Sequence, residues 1–159
     1  IAGSVANIRN GKRYNTACVF DRSGRLVLEY DKTNLFYPMG EDRYFTAGNN
    51  PCTFTLDGIK CAVIICFDIR FDNPVKAASE NSSIVFTVSQ WPNVRVNQLE
   101  ALAKAHAEKY GVYYAVCNSC GTAGETVYGG NSLFCGKDGK IIAKAGETEE
   151  ILTADILFD

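Results

Sequence analysis

Histidine and methionine are scarce in this sequence, and their scarcity restricts the possible mechanisms. The 159 residues include one histidine, His106, and one methionine, Met39, while the first residue is Ile1. Because no methionine opens the chain, we expect residues to precede Ile1 and the chain to be the later part of a larger domain. A single histidine gives little support to a Ser-His or Cys-His mechanism. We expect His106 to pack in a core or an interface.

A positive net charge and a long apolar segment are also absent. The 16 basic and 18 acidic residues give a net charge of -2, so no basic footprint for nucleic acid is present. Apolar runs are far shorter than a membrane span, and no signal peptide opens the chain. The seven cysteines are odd in number and mostly lie in strand-like runs, which favours reduced thiols and a cytoplasmic location. We therefore expect neither a nucleic-acid nor a membrane partner.

The apolar patterns predict a strand-rich single domain with two helices. Two stretches, 14–30 and 132–145, read as strand, turn, strand. Further strands are predicted at 52–56, 60–66, 83–88, 112–117 and 151–156, and helices at 71–81 and 97–111. Asp72 or Asn73 is expected to cap the first helix, and Gly111 to end the second. Continuously apolar strands are typical of a sheet with both faces covered.

Cys66 is the most informative single residue. It ends the apolar run "CAVIICFDIRF", directly before aromatic, acidic and basic residues. By composition alone, such a cysteine is more often packed than catalytic, since a thiol becomes a nucleophile only beside a cation or base. Lys32 ends another predicted strand, and Glu41 lies in the long irregular loop 34–50. Loops of that length are usually functional.

Eight short motifs occur in the order found in one enzyme superfamily. The first four are "YNTACVF", "YDKTNLF", "GEDRYFTAG" and "CAVIICFDIRF". The others are "QWPNVR", "VCNSCG", "YGGNS" and "KDGKIIAKA". Each is weak alone, but together they resemble the nitrilase, or carbon–nitrogen hydrolase, superfamily from Ile1 to Asp159. The resemblance covers only the later part of the family domain.

The resemblance implies an α+β fold, the nitrilase-like α-β-β-α sandwich, with its N-terminal portion missing, so that 1–159 is a partial single domain. It implies hydrolysis of a small carboxamide through a cysteine thioester, as in amidases or ω-amidases. Cys66 would be the nucleophile, Lys32 the cation and Glu41 a supporting glutamate, and Lys32 with the backbone N–H of Phe67 would form the oxyanion hole. The family's general-base glutamate would precede Ile1, so this chain alone is expected to be inactive. No cofactor or metal is implied, and the complete protein is expected to be a homo-oligomer.

The resemblance also indicates a pocket and a few departures. Trp91, Arg70, Tyr128 and Ser132 are expected to surround the nucleophile. Asn73, His106, Lys109 and Tyr110 differ from the residues that the family usually has at those positions. Lys32 is expected to lower the pKa of Cys66, which would then alkylate faster than the other six cysteines, most of which look buried.

Two other functions remain open at this point. A non-catalytic binding or assembly domain could keep the same fold, and absence of the upstream glutamate from the gene would favour it. A thiol redox protein could use Cys117 and Cys120, which form a lone Cys-x-x-Cys pair, and this alternative predicts a disulfide between them.

Overall fold

The computed structural model describes residues 1–158, which form two larger β-sheets, a two-stranded hairpin and two α-helices. The strands in chain order are β1 (Ala2–Arg9), β2 (Lys12–Phe20), β3 (Leu26–Asp31), β4 (Thr53–Leu56), β5 (Ile59–Ile65), β6 (Ile84–Ser89), β7 (Tyr113–Asn118), β8 (Cys120–Ala123), β9 (Thr126–Gly129), β10 (Leu133–Cys135) and β11 (Ile141–Lys144). The helices are α1 (Asp72–Ser79) and α2 (Val96–Tyr110). Strands β1–β3 form an antiparallel sheet, and a six-stranded sheet has the order β11-β10-β7-β6-β5-β4. Strands β8 and β9 pair as a separate hairpin.

The core lies around the parallel strands β5, β6 and β7. Helices α1 and α2 pack on one face of the six-stranded sheet, and β1–β3 pack on its other face. Ile64 and Val85 are fully buried, and removing either side chain to alanine would cost about 2–5 kcal/mol. Burial on both faces explains why these strands read as continuous apolar runs in the sequence. Both α-helices contact the six-stranded sheet, so within residues 1–158 neither covers the outer face of β1–β3.

Most predicted elements are present, including the two hairpins of 14–30 and 132–145 and both helices. The cap prediction for α1 is wrong, because its N-cap residue is Phe71 and no side chain caps it. Asp72 instead accepts hydrogen bonds from Lys109 Nζ, at 2.7 Å, and from Tyr110 Oη, at 3.1 Å. The Asp72 carboxylate, which was predicted to cap α1, therefore makes tertiary hydrogen bonds instead. At the other helix, Gly111 has a φ of 62° and ends α2 as predicted.

Two segments differ from the sequence prediction. The predicted strand 151–156 is irregular, and the end of the chain packs through side chains, with the ring of Phe158 5.7 Å from that of Tyr113. Tyr113 Oη also donates to the carbonyl of Leu157 at 3.0 Å. The stretch 121–130, predicted as a loop, contains most of the β8–β9 hairpin. The sequence did not predict this hairpin, because the stretch is rich in glycine and glycine is depleted in strands. None of the described helices is long and apolar enough to cross a membrane.

Candidate active site

Cys66 sits on a sharp turn directly after β5. Its φ is 48°, an angle that non-glycine residues rarely adopt, and a short 3₁₀ helix, Cys66–Arg70, begins at this point. A left-handed φ at a residue with a side chain costs about 1–3 kcal/mol, so surrounding contacts must hold it. The turn exposes the start of the 3₁₀ helix. There, the N–H of Phe67 lies in the first turn, where backbone donors have no intrahelical acceptor.

Asp68 supplies the contacts that hold this turn. Its buried carboxylate accepts hydrogen bonds from the N–H of Ile65 at 3.1 Å and from Tyr30 Oη at 2.9 Å. It also accepts from the N–H of Asn34 at 2.8 Å and from its Nδ2 at 3.1 Å. Asp68 thus ties the end of β5 to the segment that follows Lys32. Sequence reasoning missed this role, although the burial of an aspartate two residues after the cysteine could have been suspected from "ICFDIRF".

Lys32 and Glu41 form a buried ion pair. Lys32 Nζ donates to Glu41 Oε2 at 2.6 Å, and their side chains are only 4% and 13% exposed. Glu41 also accepts from Asn15 Nδ2 at 3.0 Å and from the N–H of Phe36 at 2.6 Å. Burial alone would raise the pKa of the Glu41 carboxyl, but these hydrogen bonds outweigh it and hold the pKa below its ordinary value. Glu41 is therefore a fixed anion beside Lys32, and its supporting role stays a prediction.

The loop that carries Glu41 returns to β3 through Gly48. The N–H of Gly48 donates to the carbonyl of Lys32 at 2.9 Å. A Cβ at this position would lie 2.3 Å from the Cβ of Asp31 and 2.4 Å from its carbonyl oxygen. Only glycine permits this approach, which explains on steric grounds why the last residue of "GEDRYFTAG" is a glycine. The contact fixes the backbone at Lys32.

A cleft of about 330 Å³ opens in front of Cys66. Its lining residues are Phe36, Met39, Cys66, Phe67, Arg70, Gln90, Trp91, Pro92 and Arg95. The wall is largely aromatic and apolar, and the lining includes two arginines and no carboxylate. The cleft therefore suits a small ligand with an apolar middle.

The pKa of the Cys66 thiol departs from the sequence-based expectation. Burial raises it above its ordinary value, and the N–H of Gln90 and the charge of Lys32 offset only part of that increase. The negative charges of Glu41 and Asp68 act in the same direction as burial. The expected net decrease in the pKa of Cys66 is therefore wrong, because the prediction considered the charge of Lys32 and not the desolvation of the thiol. Lys32 does act on Cys66 in the predicted direction.

The four predicted pocket residues divide into two pairs. Trp91 and Arg70 line the cleft, with the guanidinium of Arg70 5.0 Å from the centre of the Trp91 ring. Tyr128 lies one step away, in an isolated antiparallel bridge to Pro92. Ser132 binds the backbone of Asn118, accepting from its N–H at 2.9 Å. The cleft lining includes neither Tyr128 nor Ser132, so their predicted contact with a substrate remains a prediction.

Asn118 explains why the cleft wall is rigid. Its Oδ1 accepts from the N–H of Trp91 at 2.6 Å and from Ser89 Oγ at 3.1 Å. Its Nδ2 donates to the carbonyls of Gly130, at 2.8 Å, and Trp91, at 3.3 Å. This buried amide joins β6, β7 and the connection between β9 and β10, which contains Gly130 of the "YGGNS" motif. The asparagine of "VCNSCG" therefore has a structural role.

The structure adds cleft residues that sequence reasoning did not propose: Phe36, Met39, Gln90, Pro92 and Arg95. Gln90, Pro92 and Arg95 belong to "QWPNVR", and the only residue of that motif singled out for the pocket was Trp91. Phe36 and Met39 belong to the long loop, whose shape the sequence does not define. This loop carries Glu41 and part of the cleft wall, and its functional role stays a prediction.

His106 and the remaining cysteines lie apart from the cleft lining. His106 is half-buried on α2, and its Nε2 is 2.8 Å from the carbonyl of Ile69, which agrees with its predicted packing role. All seven cysteines are free thiols, including Cys117 and Cys120, so the disulfide that a redox function predicts is not formed. Three of the six cysteines other than Cys66 are buried, not most of them: Cys52, Cys61 and Cys135. No group of three or more residues that could hold a metal ion occurs within residues 1–158.

Comparisons with known proteins point to one family. The family model described as carbon-nitrogen hydrolase matches residues 1–159. The "Hydrolase in agr operon" of Staphylococcus lugdunensis is 39% identical over 162 residues, which cover 100% of this chain and 69% of that protein. The 2-oxoglutaramate amidase of Bacillus subtilis is 34% identical over 157 residues, covering 98% of this chain and 61% of its own length. The chain thus spans about three fifths to two thirds of these relatives.

The solved structures agree on the fold. An amidase from a Nesterenkonia species superposes with a TM-score of 0.91 at 24% identity, over 98% of this chain and 62% of the amidase. A nitrilase-superfamily protein of Saccharomyces cerevisiae superposes with a TM-score of 0.84 at 26% identity, over 94% of this chain and 56% of that protein. The predicted nitrilase-like fold class is therefore confirmed.

Proposed function

The chain belongs to the carbon–nitrogen hydrolase family, and from this premise we propose that it supplies the nucleophile of an amidase. One observation carries the proposal: Cys66 is held at a strained φ of 48° in the wall of a small cleft, within the field of the Lys32–Glu41 ion pair. A packed structural cysteine needs neither the strained turn nor a buried lysine.

The proposed reaction proceeds through a thioester. The sulfur of Cys66 attacks the amide carbon, and the negative charge that develops on the oxygen is stabilised by Lys32 Nζ and the N–H of Phe67. Because burial raises the pKa of Cys66, its proton must leave during the attack, and the general-base glutamate expected upstream of Ile1 accepts it. That proton is then given to the departing ammonia. Water, deprotonated by the same glutamate, hydrolyses the thioester and restores the thiol.

Glu41 is assigned a positioning role. Both of its oxygens are occupied by donors, including Lys32 Nζ, and its pKa lies below the ordinary value. A general base works best with a pKa near the working pH, so Glu41 is a poor candidate. Among the described residues, the cleft lining contains no carboxylate. This supports the proposal that the base lies outside residues 1–159 and that the chain alone completes no turnover.

The proposed substrate is a small carboxamide, in the amidase or ω-amidase class. The names of relatives support this class, namely 2-oxoglutaramate amidase in Bacillus subtilis and omega-amidase in Escherichia coli. The size and apolar wall of the cleft are consistent with a short acyl chain. We further propose that the complete protein works in the cytoplasm as a homo-oligomer, without a cofactor.

Trapping the acyl-enzyme tests the proposal. The full-length protein is incubated with a small carboxamide, quenched in acid and digested, and the peptides are analysed by mass spectrometry. We expect one thioester, on Cys66. An adduct on another cysteine, or full turnover by Cys66→Ala, would overturn the assignment.

The activity of residues 1–159 alone provides a second test. We expect no measurable amide turnover from this polypeptide. Turnover that disappears in Glu41→Gln would instead make Glu41 the base. A full-length gene product that lacks the expected glutamate and binds amides without hydrolysing them would favour a non-catalytic binding domain.

A further inference from the structure

Within residues 1–158, the lining of the cleft in front of Cys66 carries positive charge without a compensating negative charge. Arg70 and Arg95 both line it, and the lining includes no aspartate or glutamate. Glu41, the acid that acts on Cys66 from the loop, is already paired with Lys32 at 2.6 Å. An uncompensated cation in a small cleft attracts an anionic ligand group. The two arginines, however, are held in different ways.

The guanidinium of Arg70 is engaged within the protein. Its Nη2 donates to Gln98 Oε1 at 2.5 Å. Its Cζ lies 5.0 Å from the centre of the Trp91 ring and 5.8 Å from that of Phe67, both cation–π distances. Arg70 therefore serves as part of the wall, because moving it onto a ligand would break these contacts.

Arg95 presents the opposite arrangement, with a fixed backbone and an unengaged side chain. Its carbonyl accepts from Trp91 Nε1 at 2.7 Å, and its N–H donates to the carbonyl of Pro92 at 3.0 Å. Behind it, Gly129 packs so closely that an added Cβ would lie 3.0 Å from the Cβ of Val96. No residue of the described chain forms a hydrogen bond or ion pair with the Arg95 guanidinium.

We propose that Arg95 binds a carboxylate at the end of the substrate opposite the amide, so that the enzyme prefers ω-amides of short dicarboxylic acids. The inference rests on the proposed function and adds the residue that selects the substrate. A guanidinium binds a carboxylate through two parallel hydrogen bonds, and the aromatic wall of Phe36 and Trp91 accommodates the methylene groups between the two ends. Cys66 fixes the amide end, and Arg95 fixes the other.

A pair of amides with the same shape and different charge tests this role. Succinamate carries a carboxylate where 4-methylpentanamide carries two methyl groups. In the full-length protein we expect Arg95→Gln to lower kcat/KM for succinamate about tenfold, mainly through KM, as for one partly exposed charged hydrogen bond. The loss with 4-methylpentanamide should stay below about threefold. The ratio of the two values is the readout, because it does not depend on the fraction of folded enzyme.

Charge reversal gives a second readout. Arg95→Glu should further lower the ratio of kcat/KM for succinamate to kcat/KM for 4-methylpentanamide. It should also favour 5-aminopentanamide, which carries a positive charge at the end opposite the amide. Arg95→Lys should keep part of the preference for succinamate, since it keeps the charge but not the planar pair of donors. Arg22→Gln, an 80%-exposed arginine paired with Asp57 outside the cleft lining, is the matched control and should leave the ratio unchanged.

The outcomes separate this inference from the proposed function. Hydrolysis of both amides by the wild type with a ratio that Arg95→Gln leaves unchanged overturns the role of Arg95 alone. Equal losses for both amides overturn it as well, since they would reflect packing and not charge. Absence of hydrolysis of either amide, with no thioester on Cys66, overturns the proposed function and this inference together.

Discussion

Two cysteines near the carboxyl ends of parallel strands differ in almost every property that matters for chemistry. Cys66 follows β5, and Cys117 lies near the end of β7 in the same sheet. Cys66 is partly buried, lines a cleft and has a φ of 48°. Cys117 is exposed and continues the strand in register with Val88. The position of a thiol at a strand end therefore does not make a nucleophilic site.

What distinguishes the two thiols is the backbone after each strand. After β5, the Asp68 carboxylate binds the N–H of Ile65 and the segment that follows Lys32. These contacts hold the turn and place Lys32 where its charge acts on the Cys66 thiol. At β7, the side chains alternate, so Asn118 points inward and Cys117 outward. Asn118 then binds Trp91 and Gly130 and builds the neighbouring wall. One strand end supplies a reactive atom, and the other supplies a scaffold.

Replacing each thiol gives the largest expected contrast. In the full-length protein, Cys66→Ala should lower amide turnover by at least about a thousandfold, because no other group forms the thioester. Cys117→Ala should leave turnover within about twofold. Initial rates of ammonia release measure both effects, and comparable losses in the two variants would refute the distinction.

Removing the cation tests whether the surroundings of Cys66 create its reactivity. Lys32→Met should slow turnover more than a hundredfold, since the oxyanion loses a donor worth about 3–4 kcal/mol. Lys32→Arg should not rescue the rate, because a planar fork cannot replace a point charge at 2.6 Å from Glu41. Lys76→Met, at an exposed ion pair on α1, is the control. A rate near that of the wild type in Lys32→Met would reduce Lys32 to a structural charge.

Glycine substitutions test the loop that sets Lys32 beside Cys66. Gly48→Ala places a Cβ 2.3 Å from the Cβ of Asp31, and the overpacking should lower the free energy of unfolding by about 3 kcal/mol or more. Gly3 lies in β1, in the sheet that contains Asp31, and has open space around it, so Gly3→Ala should change stability by less than about 1 kcal/mol. Urea unfolding of the full-length variants gives both values. Equal stabilities would show that the Gly48 contact relaxes without cost.

The pH dependence of alkylation gives the smallest contrast. Because the pKa of Cys66 is raised, its reaction with iodoacetamide should reach half its maximal rate above the ordinary thiol pKa of about 8.5. At neutral pH, exposed Cys117 should react first. Lys32→Met should move the Cys66 midpoint upward and Glu41→Gln downward, since the two charges act in opposite directions. Each pKa unit changes the thiolate fraction about tenfold. Peptide mass spectrometry resolves the sites, and shifts of the same sign in both variants would contradict the assignment.

The sequence was a good guide where local pattern and burial agree. The continuous apolar runs correctly predicted β5, β6 and β7, because a strand covered on both faces needs apolar residues throughout. It was a poor guide where a tertiary partner decides. Asp72 caps no helix, and Lys109 and Tyr110 bind it instead. The segment 151–156 joins no sheet, and Ile156 packs against the core.

The candidate site divides in the same way. The order of motifs singled out Cys66, Lys32 and Glu41, whose catalytic roles stay predictions; in the structure Lys32 pairs with Glu41, and its charge acts on Cys66. Arg95 and Gln90 escaped notice, since their place in the cleft depends on how the "QWPNVR" turn folds against the hairpin of β8 and β9. The motifs indicated which groups would lie near one another, but they did not predict the shape of the cleft.

The sequence by itself determined the family, the buried strands β5, β6 and β7 and the candidate reactive residues, because these follow from residue type and spacing. Only the tertiary structure decided the electrostatic state of those groups. Desolvation depends on everything packed around an atom, so the raised pKa of Cys66 could not be read from a nearby lysine. The position of Arg95 in the cleft lining, where no side chain of residues 1–158 pairs with its guanidinium, is likewise a property of the fold, because the contacts of a side chain depend on what packs beside it.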